Sequence, residues 1–301
     1  MTNAFQAVEA GSLNQMSWEQ AVQWLRDQPD QQELVRACYF DDPLNEAAER
    51  FWQSAEWKAI AALLPPPQGK ALDLGAGRGI SSYAMARDGW LVTALEPDPS
   101  ELVGAGAIRS LAEQSDLPIT VVSEYSEKLP FHDNSFDVVN CRQVLHHARD
   151  LQQTCREIFR VIKPGGVMVA SREHVISKRE DMQAFLDSHP LHKFYGGENA
   201  FLLDEYLSAM QLAGLHVHKA LAPLDSPINY FPMTTEQHFT YCTGPTAGLI
   251  GKSMSNFLFS QDHVFGRALM KILVSALNYR DQTPGRLYSF VGVKPLAEGQ
   301  D

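Results

Sequence analysis

The stretch Ala71-Leu72-Asp73-Leu74-Gly75-Ala76-Gly77-Arg78-Gly79 constrains what this chain can fold into more than any other. An apolar run carrying one acid ends in three alternate glycines, and Ile80 to Arg87 then reads as the opening of a helix. A buried strand that passes through a tight turn straight into a helix is the repeating unit of an α/β sheet. Glycine permits the sharp turn and lets the backbone approach a ligand closely. The amides at the N-terminus of the following helix favour a polar or anionic group in front of them. A dinucleotide fingerprint requires a further glycine at position 80, where the chain has Ile80, so an NAD-dependent oxidoreductase is disfavoured.

The pattern repeats downstream. Leu91–Glu96 is a second buried strand ending in an acid, one strand–helix–strand step beyond the glycines, where a carboxylate can accept both hydroxyls of a ribose. Pro97 ends it. Strands are also predicted at 118–122, 136–141 and 167–171, and a closing strand at 287–293. Asp150–Ile162 is predicted as a helix that buries Leu151, Cys155, Ile158, Phe159 and Ile162, and Lys163-Pro-Gly-Gly166 as a tight turn into the fifth strand.

Several segments together carry a resemblance: Asp73-x-Gly75-x-Gly77, the EKLPF run at 127–131 followed by DNSFDVV at 133–139, the LHH of Leu145–His147, and KPGG at 163–166. They resemble class I S-adenosylmethionine-dependent methyltransferases, in particular the type 11 subgroup. The likeness is specific from Lys70 to Arg172 and looser over Phe201–Val217. It implies a Rossmann-like, seven-stranded, mostly parallel sheet with helices on both faces. It also implies S-adenosyl-L-methionine as cofactor and S-adenosyl-L-homocysteine as product. The cofactor-binding residues it implies are Asp73, Gly75, Gly77, Glu96, Pro97, Tyr125, Ser126 and Arg142. The family usually has Asp or Asn beside the adenine where this chain has Tyr125, so Tyr125 either stacks there or leaves recognition to the amides around Ser126. The backbone of Arg142 is implied to lie near the reacting sulfonium, which requires its cationic side chain to point away.

Around that core, residues 1–64 read as an N-terminal helical extension, 65–220 as the cofactor-binding core, and 221–301 as a helical insertion plus closing strand of the same domain. Residues 1–16 are polar and expected to be loosely held. Ser17 with Gln20 makes a capping box, and the helical pattern to Leu64 breaks once, at Asp41-Asp42-Pro43. Trp52 and Trp57 either roof the cofactor or form a core stripe, and Arg50 either pairs with a cofactor carboxylate or is solvated. The segments Glu173–Ala200 and Leu221–Arg286 exceed the minimal fold and are expected to join the N-terminal helices as a lid. A homodimer contact through Val264–Leu277 is the alternative for the second. By topology the first leaves the sheet at its ligand-binding edge, which makes His189, His192 and Glu198 the candidates for substrate contact or proton removal. Locally hydrogen-bonded loop residues are the plainer reading of all three. His146 and His147 either supply a base or pack against the sheet.

Composition narrows the partners. The 301 residues carry a formal charge of −11 with no basic run, which disfavours nucleic acid. The four cysteines lack metal-ligand spacing, so no metal is expected and the thiols are read as reduced, in a cytoplasmic protein. No basic start precedes an apolar core, and no stretch approaches the ~20 apolar residues of a membrane span, so neither a signal peptide nor integral membrane contact is expected. The function expected is methyl transfer to a small-molecule or saccharide-like acceptor. The alternatives are a quinone or lipid C-methyltransferase and a non-catalytic protein that binds the cofactor.

Overall fold

The computed structural model describes residues 16–195 and 198–296, so most of the N-terminal polar stretch lies outside the described residues. Eight strands form one sheet: Lys70–Leu74 (β1), Leu91–Leu95 (β2), Ile119–Val122 (β3), Phe136–Arg142 (β4), Ile162–Ile176 (β5), Phe201–Leu202 (β6), His216–Leu221 (β7) and Arg286–Val293 (β8). Their spatial order is β3-β2-β1-β4-β5-β8-β7, with the two-residue β6 beside the far end of β5. The strands β1 to β5 are parallel, and β8 runs antiparallel between β5 and β7. The order reverses between β1 and β4, and ligands of open α/β sheets bind at such a switch point, beyond the carboxyl ends of the strands.

The helices are Trp18–Arg26 (α1), Gln32–Ala37 (α2), Leu44–Gln53 (α3), Ala55–Ala61 (α4), Ile80–Arg87 (α5), Ala105–Ser115 (α6), Leu151–Val161 (α7), Met182–Asp187 (α8), Pro190–Phe194 (α9), Leu203–Leu212 (α10), Pro227–Tyr230 (α11), Thr235–Ile250 (α12), Lys252–Phe259 (α13) and Val264–Arg280 (α14). One face of the sheet packs Cys155 and Ile158 of α7 and Tyr206 and Met210 of α10 against β4, β5 and β8. The other packs Phe51, Trp57, Ile60, Tyr83 and Met85 of α3, α4 and α5 against β1, β2 and β4. With both faces covered, β1 and β4 are buried almost continuously, without polar alternation.

Three expectations change in detail. The N-terminal pattern breaks into four α-helices, because Pro29 starts a separate short turn and Ser54 leaves helical geometry to cap α4 by accepting from the Trp57 N–H. The KPGG segment is a bulge inside β5: Phe136 pairs with Ile162 and Val138 with Val167, while Gly165 and Gly166 exchange hydrogen bonds with Lys294. The strand then runs on to Ile176, so Arg172 and Glu173 are sheet residues and the long connection begins later than predicted.

The Leu221–Arg286 addition departs most. Its helices α12, α13 and α14 pack on one another around Leu224, Cys242, Phe259, Met270 and Val274, as a cluster separate from the two faces of the sheet. Of its helices, α11, with Phe231 beyond it, packs on the core: Ile228 is buried against the α3–α5 face and Phe231 stacks 5.9 Å from Tyr39.

Candidate active site

At the carboxyl end of β1 the backbone turns through Gly75 and Gly77 with φ of +63° and +55°. A Cβ on Gly75 would lie 2.8 Å from both methyls of Val144, so packing alone requires glycine there. A Cβ on Gly77 would meet nothing nearer than the Val103 carbonyl oxygen at 4.0 Å. Gly77 therefore borders open space and leaves a cradle that a branched side chain would fill. Glu96 stands beside it, just past β2. Its Oε2 accepts from the Gly77 N–H at 2.7 Å and its Oε1 from the Asp98 N–H at 2.9 Å. Burial pushes its carboxyl up to about 7, against the pull of those two amides.

The other implied cofactor residues fall into different places. Asp73 is buried with both oxygens engaged, one by Ser82 Oγ at 2.6 Å and the other by Asn140 Nδ2 at 2.8 Å. It braces β1 against α5 and β4. Pro97 is half-buried beside Glu96, Tyr125 is exposed, and Ser126 is half-buried in the loop after β3. The Arg149 guanidinium lies 5.9 Å from the centre of the Tyr125 ring. Arg142 is engaged by α4: its Nε and Nη2 donate to the Glu56 carboxylate at 2.7 and 3.2 Å.

Glu56 was not visible in the sequence as a site residue, and it is fully buried on α4. It also has Arg172 Nε at 3.9 Å, while Arg172 Nη1 donates to the carbonyls of Ile228 and Phe231 at 2.8 and 3.1 Å. Two guanidiniums thus share one carboxylate, and that of Arg142 lies 5.7 and 5.2 Å from the ring centres of Tyr39 and Phe51. The doubtful N-terminal residues resolve as structure. The indole N–H groups of Trp52 and Trp57 donate to the two oxygens of Asp88 at 2.7 and 2.9 Å, and Arg50 pairs with Asp41 at 2.6 Å.

A roof lies over the edge formed by β4 and β5. Trp24 of α1 meets Phe194 of α9 at 4.3 Å between ring centres, and Trp18 meets Tyr195 at 5.2 Å. Leu25 and Leu191 share a buried cluster there with Val103 from the loop after β2. Tyr195 sits close enough to Glu198, Asp98 and Glu96 for their charges, after burial, to raise its hydroxyl above the ordinary value. The roof therefore connects the Glu96 side of the cleft to the histidines.

Of the candidates for acceptor chemistry, His189 caps α9, its Nδ1 accepting from the Leu191 N–H at 3.2 Å, and burial lowers it to about 4. His192 and Glu198 come together under the roof, His192 Nε2 and Glu198 Oε2 being 3.9 Å apart. Burial raises the Glu198 carboxyl to about 7. His146 joins them, also 3.9 Å from Glu198, with its Nδ1 at 2.7 Å from Glu173. His174 completes the group, its ring centre 4.7 Å from that of His146. Glu173 and His174 escaped sequence reasoning because their strand was ended at Ser171. An acid and a histidine at the carboxyl end of a buried strand were the available signal.

Residues 72–170 match the family described as "Methyltransferase domain". Ubiquinone biosynthesis O-methyltransferase from Xanthomonas campestris pv. campestris is 36% identical over 114 residues, 37% of this chain and 46% of the relative. The 27-O-demethylrifamycin SV methyltransferase of Amycolatopsis mediterranei is 30% identical over 190 residues, 60% of this chain and 66% of the relative. The chain thus spans less than half the length of the ubiquinone relative and about two thirds of the rifamycin one. Geranyl diphosphate C-methyltransferase from Streptomyces coelicolor A3(2) shares the fold, with a TM-score of 0.55 at 16% identity over 85% of this chain and 87% of that one.

Proposed function

Since residues 72–170 are a methyltransferase domain of the class I S-adenosylmethionine-dependent family, we propose that the protein transfers a methyl group from that cofactor to a small-molecule acceptor. The observation that carries the reading is the pairing of the Gly77 cradle with the buried carboxylate of Glu96, held 2.7 Å from the Gly77 amide at the switch point of the sheet. When bound, the cofactor supplies a sulfonium methyl open to in-line displacement. The chain contributes orientation and exclusion of water. Glu96 accepts the ribose hydroxyls, and Asp73 fixes the turn through Ser82 and Asn140. The roof of α1 and α9 closes over the edge of β4 and β5, where Arg142 is drawn off to Glu56 and so keeps its charge from the reacting centre.

An oxygen acceptor is the reading favoured for this chain, because both curated relatives named above are O-methyltransferases by name or by the position they modify. The aromatic lining contributed by Trp18, Tyr195 and Phe194 suits a partly apolar acceptor such as a phenol or quinol. The reading includes a cytoplasmic setting, supported by Cys38, Cys141, Cys155 and Cys242 all being free thiols. Among the described residues, no helix is long and apolar enough to cross a membrane.

The test is transfer of label. Protein incubated with methyl-labelled S-adenosylmethionine and a small-molecule extract should label a low-mass product, and the Gly77→Val variant should not. Binding of S-adenosylhomocysteine with no labelled product from any extract would favour the non-catalytic alternative. A melting temperature raised by NAD but not by S-adenosylhomocysteine would remove the cofactor assignment.

A further inference from the structure

The histidines under the roof are arranged in a way that methyl transfer does not require. His146 turns Nδ1 to the Glu173 carboxylate at 2.7 Å, His174 turns Nδ1 to the Gly285 carbonyl at 2.9 Å, and His192 turns Nδ1 to the Phe185 carbonyl at 3.3 Å. Each of those partners only accepts, so each Nδ1 carries the hydrogen and each Nε2 is left with a lone pair. The Nε2 atoms of His146 and His192 both lie 3.9 Å from Glu198 Oε2, which is buried and has no hydrogen-bond partner. One ligand-capable atom from each of His146, His174 and Glu198 falls within 4.8 Å of the others. Acceptors therefore converge from several sides on one small space. A proton on Glu198, whose carboxyl burial raises to about 7, could serve one imidazole at a time, whereas a cation at their centre satisfies all of them at once.

We propose that His146, His174, His192 and Glu198 bind one divalent transition-metal ion of the zinc class. Imidazole nitrogens with one carboxylate suit zinc and its first-row neighbours, and three nitrogens argue against calcium or magnesium. Ligands about 2.0–2.2 Å from a tetrahedral zinc stand about 3.4 Å apart, so the 3.9 Å spacings to Glu198 close by about half an ångström, those within 4.8 Å by up to about 1.4 Å, and α9 must carry His192 in towards His146 and His174. The supporting shell is already built: a carboxylate–histidine pair at Glu173 and His146, and backbone carbonyls behind His174 and His192. The four residues come from separate places, His146 after β4, His174 on β5, His192 on α9 and Glu198 beyond it. No metal motif appears in the sequence for that reason. His174 belongs to the sheet, His146 to the turn after β4, and the other two to the α9 segment, so the ion would pin that segment to the strand edge.

The experiment needs neither cofactor nor acceptor, so its outcome is independent of the methyl-transfer reading. Chelator-treated full-length protein is titrated with zinc sulfate against a chromophoric chelator, with cobalt as a spectroscopic substitute. One equivalent of zinc should bind, with a rise in melting temperature and a visible cobalt spectrum typical of nitrogen and oxygen ligands. Glu198→Gln and His192→Ala should each abolish the stoichiometric site. Glu173→Gln, which removes the carboxylate that orients His146, should weaken it roughly 10–100-fold. His189→Ala, in the same segment but turned to its own helix, should leave it unchanged. Wild-type protein that is folded by circular dichroism yet takes up no zinc overturns the proposal. So does a folded Glu198→Gln or His192→Ala variant that binds zinc as the wild type does.

Discussion

Glu96 shows how a single side chain can report on the cofactor. Its carboxyl is raised from the ordinary 4.5 to about 7 because burial outweighs the two backbone amides that it accepts. Hydroxyl donors of a ribose favour the ionised form, so binding should release a proton and tighten as pH rises. Between pH 5.5 and 8, S-adenosylhomocysteine affinity measured by calorimetry should increase roughly tenfold or more and level off above pH 7. In Glu96→Gln that dependence should be flat. For the protein without ligand the sign is opposite: the folded state holds this proton more tightly than the unfolded one. The contribution of Glu96 to stability is thus complete below 4.5 and lost as pH rises through about 7. Glu96→Ala should cost about 1.5–3 kcal/mol of cofactor binding, the range for a charge-assisted hydrogen-bonding group. Gly77→Val should nearly abolish binding in a folded protein, because the added carbons enter the cradle and the +55° φ disfavours a branched residue.

The element-level question is what fastens the N-terminal helices to the sheet. Apolar burial from Phe51, Trp57 and Ile60 supplies most of the attraction. The two indole N–H groups of α3 and α4 meeting at Asp88, the residue that ends α5, set the position. Asp88→Ala should destabilise the fold by about 2–3 kcal/mol in urea unfolding, since two hydrogen bonds to a charged, half-buried acceptor are lost. An unchanged midpoint would show that the indoles find other partners. The roof is a second fastening, made by α1 and α9 through Trp24 and Phe194. Trp24→Ala should leave the melting of the sheet nearly unchanged while making the segment from Met182 to Phe194 more susceptible to limited proteolysis.

For the molecule as a whole, the sheet order puts the glycine turn, Glu96, Arg142 and Arg172 along one edge, and the additions differ in how they meet that edge. The N-terminal helices and the α8–α9 segment cover it. The three helices α12–α14 form a cluster of their own and leave Leu249, Phe257, Phe265 and Tyr279 well exposed. Replacing residues 235–280 by a short linker, with α11 kept, should therefore preserve S-adenosylhomocysteine affinity and labelled methyl transfer. Loss of transfer with binding intact would return α12–α14 to the lid. A change of mass in solution alone would assign their exposed face to self-association.

Local sequence carries the strand–glycine–helix turn, the acid one unit later, the mostly parallel character of the sheet and the methyltransferase resemblance, because each is written in residues close together along the chain. Periodicity and turn chemistry are local, and the EKLPF, LHH and KPGG segments lie within one continuous hundred-residue stretch. The tertiary structure alone decided how distant residues combine. Asp73 turned to Ser82 and Asn140, Arg142 to Glu56, and the two tryptophans to Asp88. None of these pairs repeats at a helical or strand period, since each partner arrives on a different element. The same holds for His146, His174, His192 and Glu198. Their convergence depends on a strand running five residues beyond Ser171, where its apolar pattern ends, and on a short helix folding back over it. Burial then sets their chemistry, and burial is a property of the packed molecule rather than of any one segment.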